Sequence, residues 1–307
     1  QMHWGGGTPN YQTDEQLRRT WRLLADRFEL SGELSLECDP RAAKADQPHL
    51  LRELGFNRIS MGVQDFNPEV QKAIGRRQPE KVTQRFVDAS RAAEFESVNL
   101  DLVYGLPHQT PAVFAESLQK VIDLGPDRLA VFGYAHVPWA KPNQEAIDPQ
   151  TLPSGPERFQ LYQQAVETLT EAGYVWIGLD HFARQDDELA VAMAEKRLHR
   201  NFMGYTTRPA LDMLAFGNSA IGDVCDRFAQ NAPLVGAYEE SVAAGRLPVV
   251  RGMRLSDDDR LRRAVILHLM CNQELPWTLT VDRFGGTVTD LIPGCLLYTS
   301  DAADERG

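Results

Sequence analysis

Val98-Asn99-Leu100-Asp101-Leu102-Val103 runs into Tyr104-Gly105-Leu106-Pro107, and Thr110-Pro111 then opens a segment with Phe114, Leu118, Val121 and Ile122 at helical spacing. This stretch decides the fold. A short apolar run bounded by a Gly-Leu-Pro turn predicts a strand over 97–103. A threonine N-cap with proline at the first helical position predicts the helix behind it. The same unit recurs along the chain at intervals of roughly 25 to 40 residues, with strands expected over 2–5, 33–38, 57–63, 97–103, 128–134 and 174–179. Helices fill the gaps. Thr13 and Gln16 form a capping box ahead of Leu17, Trp21, Leu24 and Phe28, and another helix runs from Ser154 through Phe159, Tyr162, Val166 and Leu169 to Gly173. Six such units fit either an open doubly wound sheet or an incomplete barrel, and periodicity does not separate the two. Past residue 184 the strand rhythm fades. Ser256 to Met270, acidic in its first turn and striped by Leu261, Val265 and Leu269, predicts a helix of a second region.

The chain has 307 residues, 43% of them hydrophobic, which suffices for a sizeable core in one large domain plus part of another. Its net charge of -11, with no Lys/Arg block, excludes the basic face that nucleic-acid binding needs. No run approaches the roughly 18 apolar residues of a membrane helix. The beginning lacks the basic-then-apolar order of a signal peptide, so the cytoplasm is the expected compartment. Cys38, Cys225, Cys271 and Cys295 lie too far apart for CxxC spacing and read as buried or free thiols.

In parallel α/β proteins ligands sit at the C-terminal ends of the strands. There this chain places Gly5-Gly6-Gly7-Thr8-Pro9, a tight turn or a backbone surface for a ligand, but neither a Walker loop nor GxGxxG. A nicotinamide enzyme is thereby set aside. Glu37, ending the second predicted strand, is either a solvated group or an acceptor for a ribose or amine. Gln64 ends the third. Asp101, inside an apolar strand, needs a partner. Arg76 is either that counter-charge or a surface arginine. His136 and His181 follow two further strand ends, with no metal-ligand spacing, and read as structural histidines or acid/base groups. The polar stretch from Leu198 to Thr207 suits the lining of a cleft.

Taken together, His3-Trp4-Gly5-Gly6-Gly7-Thr8-Pro9, Glu37-Cys38-Asp39-Pro40-Arg41, Gly55-Phe56-Asn57-Arg58-Ile59-Ser60-Met61-Gly62-Val63-Gln64-Asp65-Phe66-Asn67 and Asp101-Leu102-Val103-Tyr104-Gly105-Leu106-Pro107 resemble the radical S-adenosylmethionine family. More narrowly they resemble its oxygen-independent coproporphyrinogen III oxidase branch. The related haem-chaperone branch shares the glycine motif and the Gly-Leu-Pro turn, but has serine where Asp65 stands and no Asp-Pro-Arg after the second strand. Asp180-His181-Phe182-Ala183-Arg184 and His199-Arg200-Asn201-Phe202 also favour the oxidase. The resemblance runs from residue 2 to about residue 290.

It implies an α/β fold: a partial (β/α)6 radical-SAM barrel over residues 1–183, followed by a truncated, mainly helical C-terminal domain that starts within 184–291. By position, Gly6, Glu37 and Ile221 are implied to contact a cluster-bound S-adenosylmethionine. Gly7, Thr8, Gln64, Arg76, Asp101 and Ala135 are implied to line a second S-adenosylmethionine site. The implied chemistry is reductive cleavage of the sulfonium by a [4Fe–4S] cluster. The adenosyl radical then removes hydrogen from two propionates of coproporphyrinogen III, which lose CO₂ and become the vinyl groups of protoporphyrinogen IX. An electron donor is the implied partner and a monomer the implied state, with no nucleic acid or membrane; Arg184 and Arg200 are candidates for the substrate carboxylates. The family's CxxxCxxC cluster ligands have no counterpart here, so the chain is expected to be a fragment without metal ligands, inactive alone, with a non-native tail over 292–307. The alternative reading is a haem chaperone of the same superfamily.

Overall fold

The structure is a computed structural model and describes residues 1–209 and 212–286, so the expected tail and Cys295 lie outside the described residues. These form two units, Gln1–Val191 and the part from Ala192 onward.

The first unit is built on a sheet whose first five strands are β1 (Met2–Trp4), β2 (Leu34–Cys38), β3 (Arg58–Gln64), β4 (Ser97–Tyr104) and β5 (Arg128–Gly133). Each pairs in parallel with the one before it. Between them run α1 (Asp14–Ala25), α2 (Gln47–Glu53), α3 (Pro68–Ala73), α4 (Glu80–Ala92) and α5 (Pro111–Leu124), and α6 (Gly155–Glu171) follows β5. The caps read from sequence are present. Thr13 and Gln16 exchange both bonds of a capping box, Ser154 and Glu157 form another, and Thr110 accepts from the Val113 N–H.

Period-2 alternation divides the sheet into two faces. Leu34, Leu36 and Cys38, then Ile59, Met61 and Val63, then Val98, Leu100 and Leu102 are buried. They form one cluster with Leu17, Leu51, Phe86, Phe114, Leu118, Leu161 and Leu169 of five helices. The intervening residues, His3, Ser35, Glu37, Ser60, Asn99 and Asp101, are only partly buried and polar. From β1 to β5 the strand order is sequential, with every neighbour parallel, and the helices share the apolar face. Sequential winding of this kind belongs to a barrel; a doubly wound sheet has a switch point and helices on both faces.

The sixth unit carries a detail absent from the periodicity. β6 (Tyr174–Gly178) forms as expected, but Gly178 and Leu179 adopt positive φ (145° and 50°) and turn the chain back into β7 (His181–Arg184). The returning strand, not β6, pairs with β5, antiparallel, and β6 pairs with β7. Six strands therefore run in one direction, with a reversed strand between the fifth and sixth. The turn is secured because Tyr162 and the Trp176 indole both donate to the Leu179 carbonyl, at 2.9 and 3.1 Å.

Opposite strand ends have opposite chemistry. At the N-terminal end, Arg58 and Arg128, the first residues of β3 and β5, meet Glu33, Asp187 and Glu188 within 2.5–3.3 Å. Such partly buried charges are tolerated because each has a partner. At the C-terminal end, Asp65 is wholly buried and accepts from Asn67 N (2.6 Å), Ser117 Oγ (2.9 Å) and Gln109 Nε2 (2.6 Å). Gln109 in turn accepts from Leu106 N, which ties the turns after β3 and β4 together.

The second unit holds α7's last residues (α7, Glu188–Ala194), the hairpin β8 (His199–Asn201) and β9 (Gly204–Thr206), and three strands, β10 (Ile221–Val224), β11 (Arg227–Asn231) and β12 (Val249–Arg254), paired antiparallel. Cys225 and Asp226, both at positive φ, make the two-residue turn between β10 and β11. The helix expected from Ser256 to Met270 is present as α9 (Asp257–Asn272); α8 (Val235–Ala243), α10 (Trp277–Phe284) and the small sheet are additional.

Asp65→Ala is expected to cost about 3 kcal/mol in denaturant unfolding, because it leaves the buried donors of Gln109 and Ser117 unmatched. A loss under about 0.5 kcal/mol would mean that this junction does not hold the strand-end turns.

Candidate functional site

β1 ends at Trp4 and the chain turns through Gly6 and Gly7, both in the left-handed region (φ 74° and 63°). A Cβ built on either meets nothing within 4 Å, so their backbone faces open space. Gly5 is different. A Cβ there would lie 2.5 Å from His3 Nε2 and 2.9 Å from Glu37 Oε1, so only glycine permits the approach. Glu37, half exposed on the neighbouring strand, receives the Gly6 N–H at 3.1 Å and lies 3.3 Å from His3 Nε2; His3 Nδ1 is 2.8 Å from Ser35 Oγ. The His3 hydrogen bond is the main cause that holds the Glu37 carboxyl below its usual range. Glu37 is thus an ionised acceptor beside an open glycine backbone, as a ribose or an amine requires. Thr8 follows, and its hydroxyl makes no cap for the short turn Pro9–Tyr11.

On β3, Gln64 sits at φ 71°, where the register with β4 shifts between Gly62 and Gln64. This left-handed conformation is costly for glutamine. Its amide lies over Gly62, where a Cβ would come within 2.6 Å of Gln64 Nε2 and 3.3 Å of Arg76 Nη2. Arg76 donates to the Gly62 carbonyl (2.7 Å) and faces Asp39 at 3.5 Å, while Asp39 is also gripped by Arg41 at 2.6 Å. Burial lowers the Arg76 pKa, and its Nε is buried with no partner among the described residues.

Asp101 has the partner that the sequence demanded, but it is not Arg76. Asn99 Nδ2 donates to it at 2.7 Å and Ser60 Oγ at 3.3 Å, whereas the carboxylate nearest Arg76 is that of Asp39. Register explains this, because Asn99 and Asp101 are two residues apart on one face of β4, and Ser60 stands opposite Asn99. Burial raises the Asp101 pKa to about 6. Asn99 is a site residue that sequence reading left unassigned, although its alternation with Asp101 was visible.

Ala135 lies just beyond β5, exposed, its carbonyl accepting from Gln144 Nε2. His136 contacts the Tyr134 hydroxyl at 3.3 Å and His181 the Asp180 carboxylate at 2.6 Å, so both rings are oriented by protein groups. Arg184 falls at the wrong edge. Its N–H bonds the Asp127 carbonyl, next to the N-terminal end of β5, and its side chain meets Asp186. Ile221 and Arg200 belong to the second unit: Ile221 opens β10, and the Arg200 guanidinium lies 5.5 Å from the Tyr205 ring centre. Cys38 and Cys271 are buried, with burial pushing the Cys38 thiol well up and the Cys271 thiol to about 11; Cys225 is exposed. Among the described residues no group of three His, Cys, Asp or Glu converges as a metal site. Nor is any helix among them long and apolar enough to cross a membrane.

A sequentially wound sheet, helices on one face, and a glycine turn beside a carboxylate at adjacent strand ends define an α/β protein of the partial-barrel class. Residues 1–121 match the Radical SAM superfamily model. The oxygen-independent coproporphyrinogen III oxidase of Synechocystis is 48% identical over 277 residues, 90% of this chain and 59% of that protein. That of Escherichia coli is 46% identical over 279 residues, 90% of this chain and 61% of its own length. The chain thus spans about three fifths of these curated relatives. The solved Escherichia coli coproporphyrinogen III oxidase, described as a radical SAM enzyme, superposes with a TM-score of 0.95 at 43% identity, over 99% of this chain and 70% of that one. The chain therefore belongs to the radical SAM superfamily, in the family of oxygen-independent coproporphyrinogen III oxidases.

The Asp101 carboxyl is expected to titrate with a midpoint about 6, read as the carboxyl signal lost from carbon-detected NMR in Asp101→Asn. Because its folded pKa lies above its unfolded value, its contribution to stability is complete below pH about 4 and fades as pH rises towards about 6. Asp101→Asn should flatten that slope, and an unchanged slope would assign it to another group.

Proposed function

We propose that the protein to which this chain belongs is an oxidoreductase of porphyrin and haem synthesis that converts coproporphyrinogen III to protoporphyrinogen IX without oxygen. The observation that carries the proposal is the superposition on the solved oxidase across 99% of the chain, with the Gly6–Glu37 pair at the strand ends. In this reaction each of two propionates loses one hydrogen atom, one electron and CO₂ and becomes a vinyl group. S-adenosylmethionine, when bound, supplies the one-electron chemistry that removes the hydrogen.

The residues of the first unit fit that cofactor. Open backbone at Gly6 and Gly7 and an ionised Glu37 offer acceptor and donor groups to an amino-acid moiety and a ribose. In this reading Gly6 and Glu37 hold one molecule. Gly7, Thr8, Gln64, Arg76, Asp101 and Ala135 hold a second, with the unpartnered Arg76 Nε and the Asp101 carboxylate as its charged contacts. A [4Fe–4S] cluster does not fit the described residues. Thiolates must converge to hold one, whereas Cys38 and Cys271 are buried thiols kept protonated and Cys225 lies in a hairpin turn. An electron donor as partner, a monomeric state and a cytoplasmic location complete the proposal.

Coproporphyrinogen III given anaerobically to the full-length protein with reductant and S-adenosylmethionine should yield fluorescent protoporphyrin after oxidation. Haem transfer without that product would replace this reading by the chaperone one. In the same protein Glu37→Ala should weaken S-adenosylmethionine binding by roughly 10- to 100-fold in calorimetry, the loss of a charge-assisted bond. An unchanged dissociation constant removes Glu37 from the site. The 307-residue chain by itself, reconstituted with iron and sulfide, should show no stoichiometric cluster by electron paramagnetic resonance. A cluster there would mean that its cysteines converge.

A further inference from the structure

Six arginines of the first unit are half-buried: Arg18, Arg52, Arg58, Arg76, Arg128 and Arg158. Five of them have a carboxylate within ion-pair distance, respectively Glu53, Glu96, Glu33, Asp39 and Asp187. Arg158 has none among the described residues. Its contact with protein is a hydrogen bond from Nη2 to the Tyr134 carbonyl at 2.7 Å. A guanidinium cannot shed its charge, so a half-buried one without a counter-ion is a group that folding alone does not explain.

Its position makes the omission informative. Arg158 lies in the first turn of α6, where the helix dipole disfavours a cation. The side chain reaches from there across the C-terminal ends of two strands. Gly105, just beyond β4 at φ 83°, would put a Cβ 3.0 Å from Arg158 Nε and 3.4 Å from its Cγ. Gly133, the last residue of β5, would put one 3.6 Å from Arg158 Nη2 and 2.9 Å from the Tyr104 hydroxyl. The two glycines leave the space that the arginine occupies, and Tyr104 stacks on Tyr162 beside it, ring centres 5.6 Å apart. A fixed cation, a phenol hydroxyl and aromatic surface thus meet at the edge of the sheet where ligands of such folds bind.

We propose that Arg158 is a carboxylate-binding residue that receives an anionic arm of a ligand at the ends of β4 and β5. The inference rests on the function proposed above, which offers two carboxylates of this kind: a propionate of the tetrapyrrole and the methionyl carboxylate of S-adenosylmethionine. Arginine suits either, because its planar fork matches a carboxylate with two parallel hydrogen bonds.

The test uses the full-length protein, Arg158→Met and Arg158→Lys, with coproporphyrin III binding followed by fluorescence and S-adenosylmethionine binding by calorimetry. One of the two dissociation constants should rise roughly tenfold in Arg158→Met and less in Arg158→Lys, with the other unchanged. A rise for coproporphyrin III assigns the propionate, and a rise for S-adenosylmethionine assigns the methionyl carboxylate. Neither rising, in variants that melt like the wild type, overturns the proposal. If the variants do not fold, the unmodified protein decides. Modification of Arg158 by phenylglyoxal, read by peptide mass spectrometry, should be slowed by whichever ligand it binds, and protection by neither overturns the proposal. Failure of the wild type to bind coproporphyrin III would count against the proposed function, while the S-adenosylmethionine arm would still judge Arg158.

Discussion

Alternation along three adjacent strands governs the first unit. In β2, β3 and β4 one set of alternate side chains is apolar and packs with the helices, and the other set includes Ser35, Glu37, Ser60, Asn99 and Asp101. A one-residue slip in any register would put these polar groups into the aliphatic cluster and the aliphatic groups on the other face. Burying even one unpaired carboxylate there is costly, so the hydrophobic cluster and the polar row specify the same register. The same alternation leaves the polar row free to serve ligands. Asp101, raised to about 6 yet satisfied by Asn99 and Ser60, shows how far that row can be buried without being abandoned.

Charge is handled differently at the two ends of the sheet. Arg58 and Arg128 with Glu33, Asp187 and Glu188 form a closed set, each cation answered by protein. At the other end compensation is partial. Among the described residues Glu37 is held by a histidine and a single N–H, Arg76 shares Asp39 with Arg41, and Arg158 has only a carbonyl. Incomplete compensation is what a site waiting for charged ligands requires, and it appears where the βα architecture puts binding.

Much of this was legible in the sequence. All six strands fall close to the expected ranges, because each is a short apolar run bounded by glycine, proline or a capping residue, signals that act within a few residues. The glycine turn and Glu37 were likewise readable as strand-end groups. The choice between barrel and open sheet was not, since it depends on which strand each strand pairs with. Nor was β7, whose Phe182-Ala183 core offers too few residues for a periodic signal. The pairing of Arg76 with Asp39, and not with Asp101, is set by the path of the chain between β3 and α4. Arg158 was missed because, from sequence, it is one polar residue in the first turn of a helix. Only the glycines at 105 and 133, brought under it by the fold, distinguish it.

The hairpin at Gly178–Leu179 bears on how the sheet is assembled. From β1 to β5 each new strand finds its partner in the strand made just before it, so a chain emerging from the ribosome can add units one at a time while the earlier ones are already ordered. β6 breaks that sequence. It has no place on β5 and joins only through β7, so it stays without a sheet partner until the chain has been made as far as Arg184. Throughout that interval β5 presents a bare edge. An edge left bare in this way is a template on which other unpaired strands can add.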